Sequence, residues 1–159
     1  GEAKYALQDD KPVELADFAV AVIADTHANR YIRAQVDLGG AKSVSFRRVG
    51  DKAATRVALA GKAGGAARYV EYRVPASQAG PRFVAPRLVA GRLVRLSDLG
   101  VRHGQVATAV SKLGGDGWVL LDGERPGSLG WAVALELLLA VFVLWNVASI
   151  VRVLRPPAS

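Results

Sequence analysis

The sequence predicts an α+β protein: a small β-rich barrel or sandwich domain, in one form like an oligonucleotide-binding barrel, with flanking helices and then one C-terminal transmembrane helix. Three observations predict it. Short extended runs separated by glycine turns recur from residue 31 to residue 96, as an antiparallel sheet requires. Apolar residues at steps of three and four mark a helix before them, over 12–24. Residues 129–151, LGWAVALELLLAVFVLWNVASIV, contain one ionisable group and one amide. At 1.5 Å per residue a helix of this length spans the roughly 30 Å hydrocarbon core of a bilayer.

The elements follow in order. Asp10 and then Pro12 mark a helix start: an N-cap, then a proline in the first turn, where its missing N–H is no loss. Leu15, Phe18, Ala19, Val22 and Ile23 make one apolar face of that helix. Residues 25–29, DTHAN, end it, with His27 at the negative end of the dipole and Asn29 tolerant of the left-handed conformation. In RYIRAQVDL, Ile32, Ala34, Val36 and Leu38 alternate with Tyr31, Arg33, Gln35 and Asp37, which makes a half-buried strand. Gly39-Gly40 turns the chain, and strands follow over 43–49, 55–60 and 68–74, separated by VGDK and by GKAGG, a hairpin turn. Residues 75–81 form a loop. Residues 83–85 and 88–96 are extended, with Gly91 as a bulge. A helix ends near Leu113, and a short strand covers 118–121. The domain organisation is therefore a lead-in over 1–11, a β-rich domain over 12–121, a linker over 122–128, the membrane helix over 129–151 and a tail over 152–159; a domain outside the membrane requires a signal or a first transmembrane segment before the lead-in, and a start at Gly1 after removal of Met makes a tail-anchored protein instead.

Composition excludes several chemistries. The 159 residues contain no cysteine, so there is no disulfide, thiolate metal site or thiol nucleophile. The two histidines, His27 and His103, limit any metal centre built on imidazole. Net charge is +7, and Arg82, Arg87, Arg92, Arg95 and Arg102 cluster in sequence against Asp98 alone. Such a segment suits an anionic partner. Aromatic residues that would stack bases are sparse there, so no nucleic acid is expected. Gly61-Lys62-Ala63-Gly64-Gly65 lacks P-loop spacing, and no Gly-x-Ser-x-Gly elbow marks a nucleophile. Asp122 and Glu124 read as solvated linker acids, and His103 as a surface residue near a helix start.

One motif points elsewhere. The apolar run before Asp25-Thr26-His27-Ala28-Asn29 resembles the first motif of the calcineurin-like metallophosphoesterases. That resemblance implies a buried strand ending in an Asp and a His that bind metal. The family pattern continues with Gly-Asp-x-x-Asp and Gly-Asn-His. Here Gly50-Asp51-Lys52-Ala53-Ala54 lacks the second Asp, and no Asn-His pair occurs. Too few ligands are present for a binuclear centre, so a metal-dependent phosphoesterase ranks last among the readings.

The C-terminal run carries the functional expectation. Trp131 and Trp145 anchor the two membrane interfaces, and Arg152 and Arg155 follow the span. Glu136, Leu139, Val143, Asn146 and Ile150 fall on one helical stripe, so both polar groups of the span point one way. Polar groups at membrane depth face protein rather than lipid, so this stripe is the expected interface with a partner helix. The sequence thus predicts a non-catalytic, single-span accessory, assembly or structural subunit of a larger membrane complex, without cofactor or metal. Its partners are the membrane and other membrane-protein subunits. The alternative is a membrane-anchored binding module for anionic ligands or lipid headgroups. Arg152 and Arg155 against Arg125 place the tail in the cytoplasm and the domain outside. Composition rich in Ala, Arg, Val and Gly fits a bacterial inner membrane.

Overall fold

The computed structural model describes residues 2–6, 8–48, 50–78, 83–127 and 130–154, with side chains from residue 4 onward and, in the last helix, over 134–150 and at Arg152. Val49, Arg82, Arg155 and the Trp131 side chain, all named above, lie outside the described residues. The elements are α1 (Glu2–Ala6), β1 (Val13–Asp17), β2 (Arg30–Gln35), β3 (Ser43–Phe46), β4 (Ala54–Ala63), β5 (Ala66–Val74), β6 (Leu88–Arg95), α2 (Gly104–Leu113), β7 (Gly117–Asp122) and α3 (Gly130–Leu154).

The strands form one mixed sheet in the order β1-β2-β6-β7-β5-β4-β3. Two pairs are parallel, β1 with β2 and β5 with β7, and the other four are antiparallel. No closed barrel forms among the described residues, so the barrel and sandwich expected from the strand runs are both corrected to a single open sheet. Helix α2 is the reason that one layer suffices. Its Val106, Ala109 and Val110 pack with Val57, Ala67, Tyr69, Val94, Val119 and Leu121 on one face of the sheet. The opposite face buries Ile32, Ala34, Val70, Tyr72, Leu93, Trp118 and Leu120, together with Phe18. Loop residues Ile23, Ala28, Ala41, Phe83 and Ala85 pack against this second cluster. Central strands therefore carry apolar groups on both sides, which is why β7 reads as a continuous apolar run rather than an alternating one.

Several elements stand as read. Ile32, Ala34, Val36 and Leu38 are all buried on one side, as their alternation requires. The β4–β5 hairpin turns at Gly64 and Gly65, with φ of 58° and 79°, the positive values that glycine adopts without steric penalty. Asn29 takes the left-handed conformation, φ 59°.

The helix expected over 12–24 is not formed. Val13 to Asp17 is an edge strand paired with β2, with Leu15 half-buried and Phe18 fully buried. Val22 points to solvent, so the helical face is never assembled. Backbone pairing with β2 satisfies these N–H and C=O groups in a way that an isolated helix of marginal length does not. The Asp17 carboxylate then accepts from the Ala19 N–H at 2.9 Å and turns the chain. Gly91 is not a bulge: it stands in register with Ile32 and Asp122. Its lack of a side chain is still required, because a Cβ there would collide with the Leu121 carbonyl of β7.

Candidate functional site

Helix α3 departs from the domain. Every described side chain from residue 134 to residue 150 is exposed, and only Glu136, Asn146 and Ser149 among them are polar. Glu136, Leu139, Val143, Asn146 and Ile150 are all uncovered, as are Trp145 and Arg152. The Asn146 amide donates to the Phe142 carbonyl at 2.7 Å, and the Ser149 hydroxyl to the Trp145 carbonyl at 2.8 Å. Asn146 thus hides one N–H in its own helix and keeps its side-chain carbonyl for a neighbour. The backbone helix has 25 residues, about 37 Å at 1.5 Å each. Among the described residues no helix is long and apolar enough to cross a membrane. The stretch 134–150 alone covers only about 25 Å of the roughly 30 Å core.

The root of α3 is built, not loose. Glu124 sits on the α2 side of the sheet, where its carboxylate meets His103 Nε2 at 2.8 Å. Arg92 and Arg102 approach the same carboxylate at 3.7 Å. Its backbone carbonyl accepts from the Tyr5 hydroxyl at 2.6 Å. Arg92 lies over the Tyr5 ring at 4.7 Å, and its Nε donates to Asn29 Oδ1 at 2.6 Å. The left-handed turn at Asn29 supplies that acceptor. Gly127 N–H donates to the Ala6 carbonyl at 3.0 Å, and Pro126 is buried. The segment from Gly123 to Gly127 is thereby held between α1, β6 and the start of α2.

Charges in this cluster are uneven. Burial pushes the Glu124 carboxyl up, but the hydrogen bond from His103 and the charges of His103, Arg102 and Arg92 outweigh it and hold the group below its ordinary value. Glu71, also on the α2 face, runs the other way: burial raises it despite Arg48 at 2.7 Å and the nearby His103. Asp122 is raised too, again by burial, against the Gly123 N–H and Arg73. His103 is only 3% exposed and ties the Glu124 carboxylate from inside the fold. The sequence reading of His103 as a surface residue and of Glu124 as a solvated linker acid is corrected by this packing. The missed signal was spacing: His103, Arg102 and Glu124 flank α2 and β7, whose ends meet.

Among the described residues the arginines of this segment do not all lie together, and Arg82 is outside them. Arg92 is buried at the root of α3, and Arg102 lies exposed beside it. Arg87 precedes β6 and Arg95 ends it, about 26 Å apart along the strand. Arg87 lines a cleft with Asp17 and Asp37. Arg95 pairs with Asp25 and stacks over Trp118. Alternation along the strand sends Arg92 to one face and Arg95 to the other.

Asp25 and His27 lie in a 3-10 turn and not at a strand end. Asp25 faces Arg95, and His27 Nδ1 accepts from the Ala24 N–H at 3.2 Å. Among the described residues no three acidic or imidazole side chains gather as metal ligands. No protein-family model, curated protein or solved structure matches the chain.

Proposed function

We propose that this protein is a non-catalytic, membrane-anchored accessory or assembly subunit that docks on a partner through α3 and presents its sheet domain at the bilayer. The observation that carries this reading is the exposure of α3: an apolar surface over 134–150 with no cover from its own domain. An uncovered apolar area of that size in water calls for lipid or protein around it. The Trp131-to-Arg152 segment supplies the length, with Trp145 and Arg152 toward one interface. Glu136 and Asn146, on the stripe with Leu139, Val143 and Ile150, supply the polar contacts for a neighbouring helix. The fastened root supports a subunit role as well, because a clamped linker fixes how the domain stands over the membrane, where a loose tether would leave it free.

Membrane fractionation of the full chain tests the anchor. It is expected to stay with the membrane through high salt and alkaline washing and to leave it only with detergent. A monodisperse, water-soluble chain in the absence of detergent overturns the reading. Mild-detergent purification of the wild type is expected to bring partner subunits with it, and the double variant Glu136→Leu, Asn146→Leu to lose them. Retention of every companion by the double variant refutes the docking stripe and leaves the anchor standing.

A further inference from the structure

The open sheet ends in two strands with one neighbour each, β1 beside β2 and β3 beside β4. An unpaired strand edge is a template for another strand. On β3 the free side can be assigned. The Leu59 N–H donates to the Lys42 carbonyl at 2.9 Å, and antiparallel ladders alternate, so Val44 and Phe46 also bond inward to β4. The N–H and C=O groups of Ser43 and Ser45 therefore point outward. Both serines are exposed, and these backbone groups meet no partner among the described residues. On β1, Val13, Glu14, Ala16 and Asp17 are exposed.

The two edges carry opposite charge. Over 9–17, Asp9, Asp10, Glu14 and Asp17 stand against Lys11, four negative charges less one positive. Over 42–48, Lys42, Arg47 and Arg48 stand against no acid. Glu71 answers Arg48 at 2.7 Å and Arg33 answers Glu14 at 3.0 Å. Lys42 and Arg47 are exposed and make no ion pair among the described residues. Charge on an edge strand ordinarily keeps copies of a protein apart. Here it does so only for like edges: β1 repels β1 and β3 repels β3, whereas β1 and β3 attract.

We propose that the partner of the β3 edge is a second copy of this chain, whose β1 adds to β3 in parallel and continues the sheet. The faces of the sheet choose the direction. Lys42 stands across from Leu59, and Leu59, Val44 and Phe46 pack on the α2 side, so Lys42 is on that side too. Glu14 stands across from Arg33, which lies between Ile32 and Ala34 of the opposite face, so Glu14 is also on the α2 side. Parallel addition keeps α2 on one side of the joined sheet and sets Glu14 of the second copy on the face of Lys42. Antiparallel addition turns the second copy over and puts the two charges on opposite faces. The contact joins unlike edges, so it is heterologous and leaves one free β1 and one free β3 at its ends. The ladder is short, because β3 has four residues and the register of β1 shifts after Leu15. The contact is therefore of the weak, reversible class. It is separate from the docking of α3 and does not rest on it.

The test is sedimentation of the full chain in neutral detergent, from roughly 10 µM to 1 mM. The average mass is expected to rise with concentration, and to rise less when salt goes from about 0.05 M to 0.5 M. Lys42→Glu and Glu14→Lys are each expected to weaken association about fivefold, and the double variant to restore it. Both positions are exposed, and unchanged hydrogen-exchange protection of β7 shows that the fold is kept. Helix α3 is the same in every variant, so association through it does not follow the substitutions. Contact is read by mixing two single-cysteine variants, Ser43→Cys and Val13→Cys, with a short bis-maleimide, since the chain has no cysteine of its own. Links between the two variants are expected to exceed links within either one by about fivefold. The proposal is overturned by a chain that stays monomeric at roughly 1 mM, by association indifferent to both charge reversals, by a double variant no better than the single ones, or by like-variant links as abundant as mixed ones. Association through α3 alone gives the second of these outcomes and leaves the proposed function standing.

Discussion

Strand β7 and helix α3 are both apolar runs, and they meet opposite fates. Trp118, Val119, Leu120 and Leu121 are buried from both sides, by α2 on one face and by the loops over the other. Leu135, Leu137, Leu138 and Leu139 in α3 are all exposed. Composition does not separate the two. Neighbours do: β7 lies between β6 and β5, whose backbone groups pair with its own, whereas a helix pairs its backbone internally and needs no neighbour to form. An isolated apolar helix is therefore the form that a chain can present to lipid or to another subunit, and an isolated apolar strand is not. The difference teaches that the domain's buried apolar contacts lie in the sheet and that the described side chains of α3 add none to them.

Substitutions sharpen this contrast, from the largest effect to the smallest. Gly91→Ala forces a Cβ into the Leu121 carbonyl across the β6–β7 pair, where backbone must move. It is expected to destabilise the domain by about 4 kcal/mol or more, read as lost hydrogen-exchange protection in β7. Leu120→Ala removes a fully buried side chain and is expected to cost about 3 kcal/mol by the same measurement. Leu138→Ala on α3 is expected to leave β7 protection unchanged within about 0.5 kcal/mol. An equal loss from Leu138→Ala would show that α3 packs on the domain and would end the contrast.

Between these extremes stands the root. Glu124→Gln removes the charge that faces His103, Arg92 and Arg102 and is expected to cost about 2 kcal/mol near neutral pH. The sign of its pH dependence follows from the direction of the shift. The Glu124 carboxyl is held below its ordinary value of 4.5, so its contribution is complete above about pH 4.5 and is lost as pH falls through the folded value. The gap between wild type and Glu124→Gln is therefore expected to narrow below that pH in denaturation curves. Glu71 and Asp122, both raised, act oppositely: their contribution is full at low pH and fades as pH rises above their ordinary values. A gap that widens on acidification would contradict the assignment of Glu124 as the ionised partner.

Part of this protein was legible in one dimension. The burial of Ile32, Ala34, Val36 and Leu38, the hairpin at Gly64-Gly65, the left-handed Asn29, helix α2 and strand β7 all follow from periodicity and turn chemistry. These depend on residues near each other in the chain. Residues 12–24 show the limit of that logic, because helical spacing was present and edge pairing with β2 prevailed. The close approach at Gly91, the parallel pairs and the order of strands involve partners tens of residues away, and no local pattern encodes them.

The candidate sites divide the same way. The apolar helix and its Glu136/Asn146 stripe are visible in the sequence, since a helix carries its own geometry. The clamp at Glu124, which draws on Tyr5, Asn29, Arg92 and His103, and the opposed charges of β1 and β3 as the two sheet edges exist only once distant strands are side by side. Charge was countable from the sequence; whether a charge is buried or paired was decided by the tertiary structure, because desolvation and ion pairing depend on what surrounds a group in space.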